Sequence, residues 1–236
     1  PHEGPPLRMT DLAVRIAYRG EGFSGSQIQP GLATVEGTLL SSLIRVTELP
    51  PEKIDLKLAS RTDKGVNATG NVASFESGGA DPVLLLKALN SVGWSVLCTA
   101  YARVGDDFLP RHADMRTYEY VTKSEGVDID LARQCISLFQ GEHDFASFCG
   151  NPRMKKSTVR LVDHIAIERR KDRVVFTFHG TGFLQNMVRI MVGTLLEVGR
   201  GYWTPEQVSD ILAAKDRKQA GPTAPPEGLC LMKVDY

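Results

Sequence analysis

Patterns typical of strands and helices follow one another along this chain in an order that limits its fold. In the first half, a strand at residues 12–18 precedes a helix opened by Thr34, two strands that flank residues 59–70, a helix opened by Asp81 and a strand at residues 95–104. Strands show alternating apolar residues, and Thr34 and Asp81 are good helix N-caps. The order is β-α-β-β-α-β, which folds into an antiparallel sheet with helices on one face.

The second half repeats this kind of order. Its predicted elements are strands at residues 115–122, 161–168, 174–178 and 228–236, and helices at 130–140, 183–198 and 204–214. We therefore predict an α+β fold of two ferredoxin-like halves that share an extended antiparallel sheet, with helices on one face and a cleft between the halves. The strand pattern breaks after Gly105, so we expect a disordered leader at residues 1–8, an N-terminal half at 9–105 and a C-terminal half at 106–236.

Composition narrows the class of protein. The chain has 236 residues, of which 42% are hydrophobic and 24% charged, as in a globular protein with a sizeable core. Its four cysteines lie far apart without metal-ligand spacing, which favours a reducing, cytoplasmic compartment. No apolar run reaches the roughly 18 residues of a membrane helix. Because no metal-ligand cluster or glycine-rich dinucleotide fingerprint occurs, we expect no metal and no cofactor.

Charge leaves nucleic-acid binding open. The chain has 28 Lys and Arg against 28 Asp and Glu, and a net charge of zero argues mildly against a nucleic-acid partner. Residues 153–173, however, hold eight cations and three acids. Such a run is either a solvated face or a track for phosphates.

The loop between the two central strands of the first half contains a candidate site. Residues 60–68 read Ser-Arg-Thr-Asp-Lys-Gly-Val-Asn-Ala and place Asp63 between Arg61 and Lys64. A nearby arginine favours an ionised carboxylate, and a glycine lets a ligand approach the backbone. From these residues alone, a solvated turn whose aspartate bonds its own backbone remains an alternative.

Six segments, in order along the chain, resemble the TruA family of tRNA pseudouridine synthases. They are residues 23–30 with 34–37, 60–68, 116–120 (Arg-Thr-Tyr-Glu-Tyr), 141–148 (with His-Asp-Phe), 183–193 (Phe-Leu-Gln-Asn-Met-Val-Arg-Ile-Met-Val-Gly) and 224–229 (Ala-Pro-Pro-Glu-Gly-Leu). The resemblance covers essentially residues 10–236. It implies a homodimeric, cytoplasmic enzyme that isomerises uridine to pseudouridine in tRNA, in or near the anticodon stem-loop, with no membrane and no small-molecule cofactor.

The resemblance also implies roles for individual residues. Asp63 is the catalytic carboxylate, either as nucleophile at the sugar or as the base that removes its 2′ proton. Arg61 supports the flipped-out nucleotide, and Arg189 is expected to pair with Asp63 across the cleft. Tyr118 stacks on the target uracil and Arg111 contacts a phosphate. From the residues alone, Arg189 could instead form a structural ion pair, Tyr118 could be an ordinary sheet aromatic, and Arg111 a solvated charge.

Two other classes of function fit the order of elements. A non-catalytic RNA-binding protein with two RNA-recognition-like halves predicts exposed aromatics in place of a buried Asp63–Arg189 pair. A small-molecule enzyme of ferredoxin-like fold predicts a closed pocket instead of an open, basic cleft. His143 and Asp144 invite an acid-base role, which we decline because the resemblance assigns them no chemistry.

Overall fold

The computed structural model describes residues 11–151 and 153–236, so the predicted leader at residues 1–8 lies outside the described residues. The chain divides into two compact units, Pro1–Ala113 and Asp114–Tyr236.

The first unit is an antiparallel sheet with helices. Along the chain its elements are β1 (Asp11–Tyr18), α1 (Val35–Thr47), α2 (Pro51–Ile54), β2 (Lys57–Leu58), β3 (Asn67–Glu76), α3 (Pro82–Val92) and β4 (Val96–Val104). Strand β1 pairs with β4 on one edge and with β3 on the other, and β2 pairs with β3. Apart from the short helix α2, this is the β-α-β-β-α-β order predicted from the sequence.

Local signals explain most of these elements. Alternating residues of β1, namely Leu12, Val14 and Ile16, are at most 1% exposed and form part of the core. Thr34 Oγ1 accepts a hydrogen bond from the Gly37 backbone at 3.2 Å, which confirms it as the cap of α1. Helices α1 and α3 contact each other and both contact β4, so they lie on the same side of the sheet.

The strand before the Asp63 loop, β2, is much shorter than its alternating apolar residues predict. Pro51 occupies the first position of helix α2. The helix ends at Ile54, because the next residue, Asp55, has a left-handed φ of 47°. Only Lys57 and Leu58 then pair with β3. Proline fixes the φ that a helix start needs, and this local effect overrides the alternation.

The first unit extends beyond Gly105, where the strand pattern breaks. Residues 106–113 remain with it because the 3-10 turn Pro110–His112 contacts β2 and β3. The division between the units falls between Ala113 and Asp114.

The second unit has a five-stranded antiparallel sheet. Its elements are β5 (Met115–Lys123), α4 (Ile129–Arg133), α5 (Ile136–Phe139), β6 (Gly141–Asp144), β7 (Val159–Arg170), β8 (Arg173–Gly180), α6 (Met187–Gly199), α7 (Pro205–Ala214) and β9 (Leu229–Asp235). The strand order within this unit is β9-β5-β8-β7-β6.

Three features of this unit differ from the sequence prediction. The helix expected at residues 130–140 is two short helices, α4 and α5, and the short strand β6 was not predicted. Helix α6 begins at Met187 because Asn186 has a left-handed φ of 58°. Its nearly complete burial agrees with its largely apolar sequence. Both units thus combine helices with antiparallel sheets, whereas their ferredoxin-like classification, a shared sheet and a cleft stay predictions.

Candidate active site

Buried polar side chains hold the residue that precedes Asp63. Ser26 is fully buried, and its Oγ accepts a hydrogen bond from the Thr62 backbone N–H at 2.8 Å. The Ser26 N–H in turn donates to the Thr62 carbonyl oxygen at 3.0 Å. The Tyr18 hydroxyl lies 2.9 Å from Thr62 Oγ1. Thr62 is therefore fixed through both backbone groups and its side chain, which restricts the backbone on which Asp63 sits.

Asn71 of β3 holds the start of the same loop. It is fully buried, and its Oδ1 accepts from the N–H groups of Ser60 at 3.3 Å and Val72 at 2.9 Å. Its Nδ2 donates to the Ser60 carbonyl at 3.0 Å and to the Tyr18 hydroxyl at 3.2 Å. Asn71 thus connects the entry of the loop to the tyrosine that contacts Thr62. Sequence analysis missed this residue, and an asparagine within an apolar strand was the available signal.

Glycines allow the segment before α1 to lie directly against the loop. A Cβ at Gly20 would lie 2.3 Å from the Gly65 carbonyl carbon, a distance that no real side chain tolerates. Gly25 has a φ of 101°, and a Cβ there would lie 3.2 Å from the Thr62 oxygen. The Gly20 N–H also donates to Asn67 Oδ1 at 2.9 Å. The loop is therefore held at both its beginning and its end.

The charged residues of the loop differ in burial. Asp63 is half-buried, whereas Arg61 and Lys64 are exposed. A carboxylate on a backbone that is fixed in this way can serve as a nucleophile or as a general base. Exposed cations beside it are available to an anionic ligand.

In the second unit, Arg189 lies in the first turns of α6 and is half-buried. Its Nε donates to the Ala224 carbonyl at 2.6 Å, and its Nη1 donates to Asn186 Oδ1 at 2.7 Å. The Ala224 N–H also donates to the Arg189 carbonyl at 3.1 Å. These bonds fix the direction of the guanidinium, and its pairing with Asp63 stays a prediction.

Close backbone contacts bring the segment that contains Ala224 onto α6. A Cβ at Gly193 would lie 1.8 Å from the Pro222 oxygen, so only glycine is possible at this helix position. The Gly221 N–H donates to Thr194 Oγ1 at 3.0 Å. The segment is thus seated on the helix, which explains why Arg189 finds its backbone acceptor there.

Tyr118 and Arg116 lie on the buried face of β5. The Tyr118 ring packs edge-to-face on Phe183, with ring centroids 5.3 Å apart. Arg116 Nη1 donates to the Thr181 carbonyl at 2.6 Å, and burial lowers the pKa of its guanidinium. Tyr118 is therefore held by its neighbours, and its contact with a uracil stays a prediction.

Tyr120, the next residue on this face, lies in the field of two opposite charges. Burial, assisted by Glu227, raises the pKa of Tyr120 to about 12, and Arg189 acts in the opposite direction. Tyr120 is therefore neutral at physiological pH.

Arg111 and the His143–Asp144 pair lie in different surroundings. Arg111 is exposed in the turn Pro110–His112 of the first unit, and its contact with a phosphate stays a prediction. Asp144 accepts a hydrogen bond from Thr158 Oγ1 and pairs with Lys215 at 2.9 Å; these two partners lower the pKa of its carboxyl. His143 Nε2 lies 2.9 Å from the Gln140 carbonyl oxygen. These contacts tie His143 and Asp144 to neighbouring residues of the second unit.

The eight cations of residues 153–173 lie near the two ends of β7. The strand has 12 residues, which corresponds to about 40 Å. At its C-terminal end, Arg170 pairs with Glu168 at 3.0 Å and Arg173 with Asp172 at 3.6 Å. Near its N-terminal end, three exposed cations form no ion pair with any residue in 11–151 or 153–236: Arg153, Lys155 and Lys156. These three cations can bind phosphates without giving up an acidic partner.

The described residues offer few other reactive groups. Among them, no cluster of three or more His, Cys, Asp or Glu is placed to hold a metal ion. Burial raises the pKa of the Cys98 and Cys135 thiols to about 11, so neither is a ready nucleophile. No helix in the described part of the chain is both long and apolar enough to span a bilayer.

Comparison with known proteins finds relatives over nearly the whole chain. Residues 135–236 match a family described as tRNA pseudouridine synthase. The chain is 39% identical over 227 residues to tRNA pseudouridine synthase A of Thermococcus kodakarensis, over 95% of this chain and 84% of the relative. It is 36% identical over 247 residues to the protein of that name from Brevibacillus brevis, over 97% of this chain and 100% of the relative. It is 38% identical over 244 residues to the protein of that name from Limosilactobacillus reuteri, over 94% of this chain and 95% of the relative.

Proposed function

This chain belongs to the tRNA pseudouridine synthase A family, and we propose that Asp63 is the carboxylate with which it isomerises uridine to pseudouridine in tRNA. The observation that supports this role is the fixation of the neighbouring Thr62 through its N–H, its carbonyl and its hydroxyl. Catalysis depends on such positioning, because a displacement of about 1 Å can cost on the order of 10²-fold in rate.

The reaction breaks the bond from sugar C1′ to base N1 and forms a bond from C1′ to C5. N1 gains a proton and C5 loses one, so the reaction needs no redox step. Asp63 acts either as nucleophile at C1′ or as the base that takes the 2′ proton. The uridine must leave its stack to reach the carboxylate, as for other enzymes that act on a base.

Pseudouridine mapping in an unmodified tRNA transcript tests this role. We expect wild-type protein to form pseudouridine, at one or more positions in or near the anticodon stem-loop. Asp63→Asn keeps the shape of the side chain but removes its charge, so it should form none while it binds tRNA as well or more tightly. Asp106→Asn, an exposed acid of the same unit, is the matched control and should be fully active.

The outcomes separate the alternatives. Wild-type turnover by Asp63→Asn would contradict the catalytic assignment. No pseudouridine from wild-type protein that still binds tRNA would favour a non-catalytic RNA-binding protein.

For Arg189 we propose the role of counter-charge to Asp63. A cation on a buried helix is costly unless it is paired, and the bonds from Arg189 to the Ala224 carbonyl and to Asn186 Oδ1 fix the direction of its guanidinium. Arg189→Met should lower the free energy of unfolding by about 3–5 kcal/mol. In a double-mutant cycle with Asp63→Asn, measured by denaturant unfolding, the double change should cost less than the sum of the singles. A coupling near zero would show that the two side chains do not interact.

Three further roles follow from family membership. We propose that Arg61 holds the flipped-out nucleotide, that Tyr118 stacks on the uracil and that Arg111 contacts a phosphate. When pseudouridine formation is followed over time, Arg61→Ala and Tyr118→Leu should lower kcat. In a tRNA-binding assay, Arg111→Ala should raise the Kd, while its kcat stays unchanged. Unchanged kcat for Arg61→Ala and Tyr118→Leu, or a lower kcat with unchanged Kd for Arg111→Ala, would exclude these roles.

We also propose a homodimer in the cytoplasm. Family membership supports the dimer, and the tRNA substrate together with four cysteines that lie far apart in the sequence supports the compartment. Sedimentation equilibrium should give about twice the chain mass of 25.9 kDa. A monomer at micromolar concentration would contradict the dimer. Recovery of the protein in a cell fraction other than the cytoplasm would contradict the proposed location.

A further inference from the structure

A groove in the first unit is lined by none of the residues of the candidate active site. It has a volume of about 520 Å³ and lies between α1 and the turn that joins α3 to β4. Small-ligand sites typically measure about 300–1,000 Å³, so the groove is large enough for one. Helix α1 supplies small, hydroxyl-bearing residues, and the turn supplies Trp94.

The helix residues in the groove share one face of α1. They are Gly37, Thr38, Ser41, Ser42 and Arg45, at the spacing of successive helical turns. The Ser41 and Ser42 hydroxyls donate to the carbonyls one turn earlier, at 2.9 and 3.0 Å, so their oxygens remain available as acceptors. Arg45 is exposed and is the charged side chain among the groove's described lining residues. The groove therefore has a polar floor and a positive end.

Trp94 is 81% exposed on the turn that joins α3 to β4. The Val96 N–H donates to the Gly93 carbonyl at 3.0 Å, which closes the turn around the tryptophan. A Cβ at Gly93 would lie 2.6 Å from Ser42 Oγ, so the turn contacts α1 directly. Trp94 follows Gly93 in the chain and lines the same groove as Ser42 and Arg45. A single exposed apolar residue is ordinary, but an exposed indole that shares a groove with a cation and hydroxyl acceptors is a combination that suits a nucleotide.

We propose that this groove is a second RNA subsite, which binds one unpaired nucleotide of the tRNA with its base on Trp94 and its phosphate on Arg45. The inference rests on the proposed function, because tRNA supplies the ligand. Stacking on an aromatic ring accepts any base, and a guanidinium binds phosphate through charge-assisted hydrogen bonds. The hydroxyl floor and the cation favour a nucleotide over an apolar peptide or the apolar face of a second copy.

Tryptophan fluorescence tests the subsite directly. The chain has two tryptophans, so Trp203→Phe leaves Trp94 as the sole reporter. Pentauridylate should quench Trp94 fluorescence saturably, and Arg45→Gln should raise its Kd severalfold. Lys87→Gln, an exposed cation of α3 outside the groove, is the matched control and should change nothing.

The same subsite should contribute to tRNA affinity. Trp94→Ala should raise the Kd for a tRNA transcript by about fivefold or more, the effect of losing one stacked base, while kcat at saturating tRNA stays unchanged. Leu84→Ala removes another exposed apolar side chain, 66% exposed on α3, and should bind tRNA like the wild type.

Three results would overturn the proposal. The first is no quenching by pentauridylate, and the second is equal tRNA affinity of Trp94→Ala and Leu84→Ala. The third is quenching by uridine monophosphate while Trp94→Ala binds tRNA like the wild type, which would indicate that the groove binds a free nucleotide. The fluorescence readout needs no turnover. A failure of Asp63 as the catalytic residue would therefore leave the result for Trp94 interpretable.

Discussion

The loop around Asp63 and the loop formed by residues 150–151 and 153–158 hold their charged residues in different ways. In the first, buried side chains bond the backbone on the N-terminal side of the charge: Ser26 and Tyr18 hold Thr62, and Asn71 holds Ser60. We call the second, which carries Arg153, Lys155 and Lys156, the basic loop.

The basic loop is tied near its ends. The Gly150 N–H donates to the Gln185 carbonyl at 2.8 Å, and the Thr158 carbonyl accepts from the Phe145 N–H at 3.0 Å. Its three cations are exposed.

The comparison separates two kinds of functional charge. A carboxylate that reacts with one atom must be held to within a fraction of an ångström, and buried hydrogen bonds provide this. A cation that attracts phosphates acts over a Debye length of about 10 Å at 0.1 M salt, so it tolerates movement. We therefore expect substitutions around the Asp63 loop to change kcat and substitutions in the basic loop to change Kd.

The largest effect expected from this comparison of the two loops is that of Asn71→Leu. The change leaves the backbone groups of Ser60 without their buried partner, which should lower the free energy of unfolding by about 3 kcal/mol. Because the loop then loses its position, kcat should fall on the order of 10²-fold. Denaturant unfolding and single-turnover kinetics measure the two effects.

A core variant provides the control for Asn71→Leu. Leu89 of α3 is 1% exposed, and Leu89→Ala should destabilise the same unit by about 2–5 kcal/mol without touching the loop. At a temperature where both variants are folded, Leu89→Ala should retain its kcat. An equal loss of kcat in both would mean that Asn71 acts only through stability.

The second prediction concerns the basic loop. The triple change Arg153→Gln, Lys155→Gln and Lys156→Gln should weaken tRNA binding and reduce the slope of log Kd against log salt by up to about three. It should leave kcat at saturating tRNA unchanged and alter the free energy of unfolding by less than about 0.5 kcal/mol. Filter binding at salt concentrations between about 50 and 300 mM measures this slope.

A triple change at the other end of β7 is matched in charge. Arg170→Gln, Lys171→Gln and Arg173→Gln remove the same three charges, but two of these cations pair with acids. We expect a smaller change in slope. Equal slopes for the two triples would show that only net charge matters and that the basic loop has no particular role.

The smallest expected effect is a pH-dependent change in the free energy of unfolding, caused by Asp144 at the end of the basic loop. The Thr158 hydroxyl, followed by Lys215, lowers the pKa of Asp144. A carboxyl whose native pKa is depressed stabilises the fold above its unfolded pKa of about 3.9, and this contribution is lost as the pH falls through the native value. Asp144→Asn should therefore cost about 1 kcal/mol at pH 7 and progressively less below pH 4, on this linkage argument.

Denaturant unfolding of Asp144→Asn and wild type across this pH range measures the effect. Asp210→Asn, which removes an exposed acid on α7, is the control for the loss of one negative charge. A constant difference between wild type and Asp144→Asn down to low pH would contradict the assigned hydrogen bonds.

Local signals in the sequence determined many, though not all, elements of each unit: α2 and β6 were missed, and the helix expected at residues 130–140 is two. Alternation placed β1, and the caps at Thr34, Asp81 and Thr204 marked the starts of α1, α3 and α7, each confirmed by a side-chain hydrogen bond. These signals work because strand periodicity and capping involve residues within about four positions of one another. The Asp63 loop was found by the same kind of local pattern together with the resemblance.

Only the tertiary structure decided what surrounds Asp63. Ser26 and Thr62 are 36 positions apart, and Tyr18 and Asn71 are 53 apart, yet both pairs share hydrogen bonds. The same is true of Arg189 and Ala224, 35 positions apart, and of the groove in which the turn at Trp94 meets α1. No local pattern encodes such contacts, because they form when the sheet brings distant segments together and a buried polar group then requires a partner.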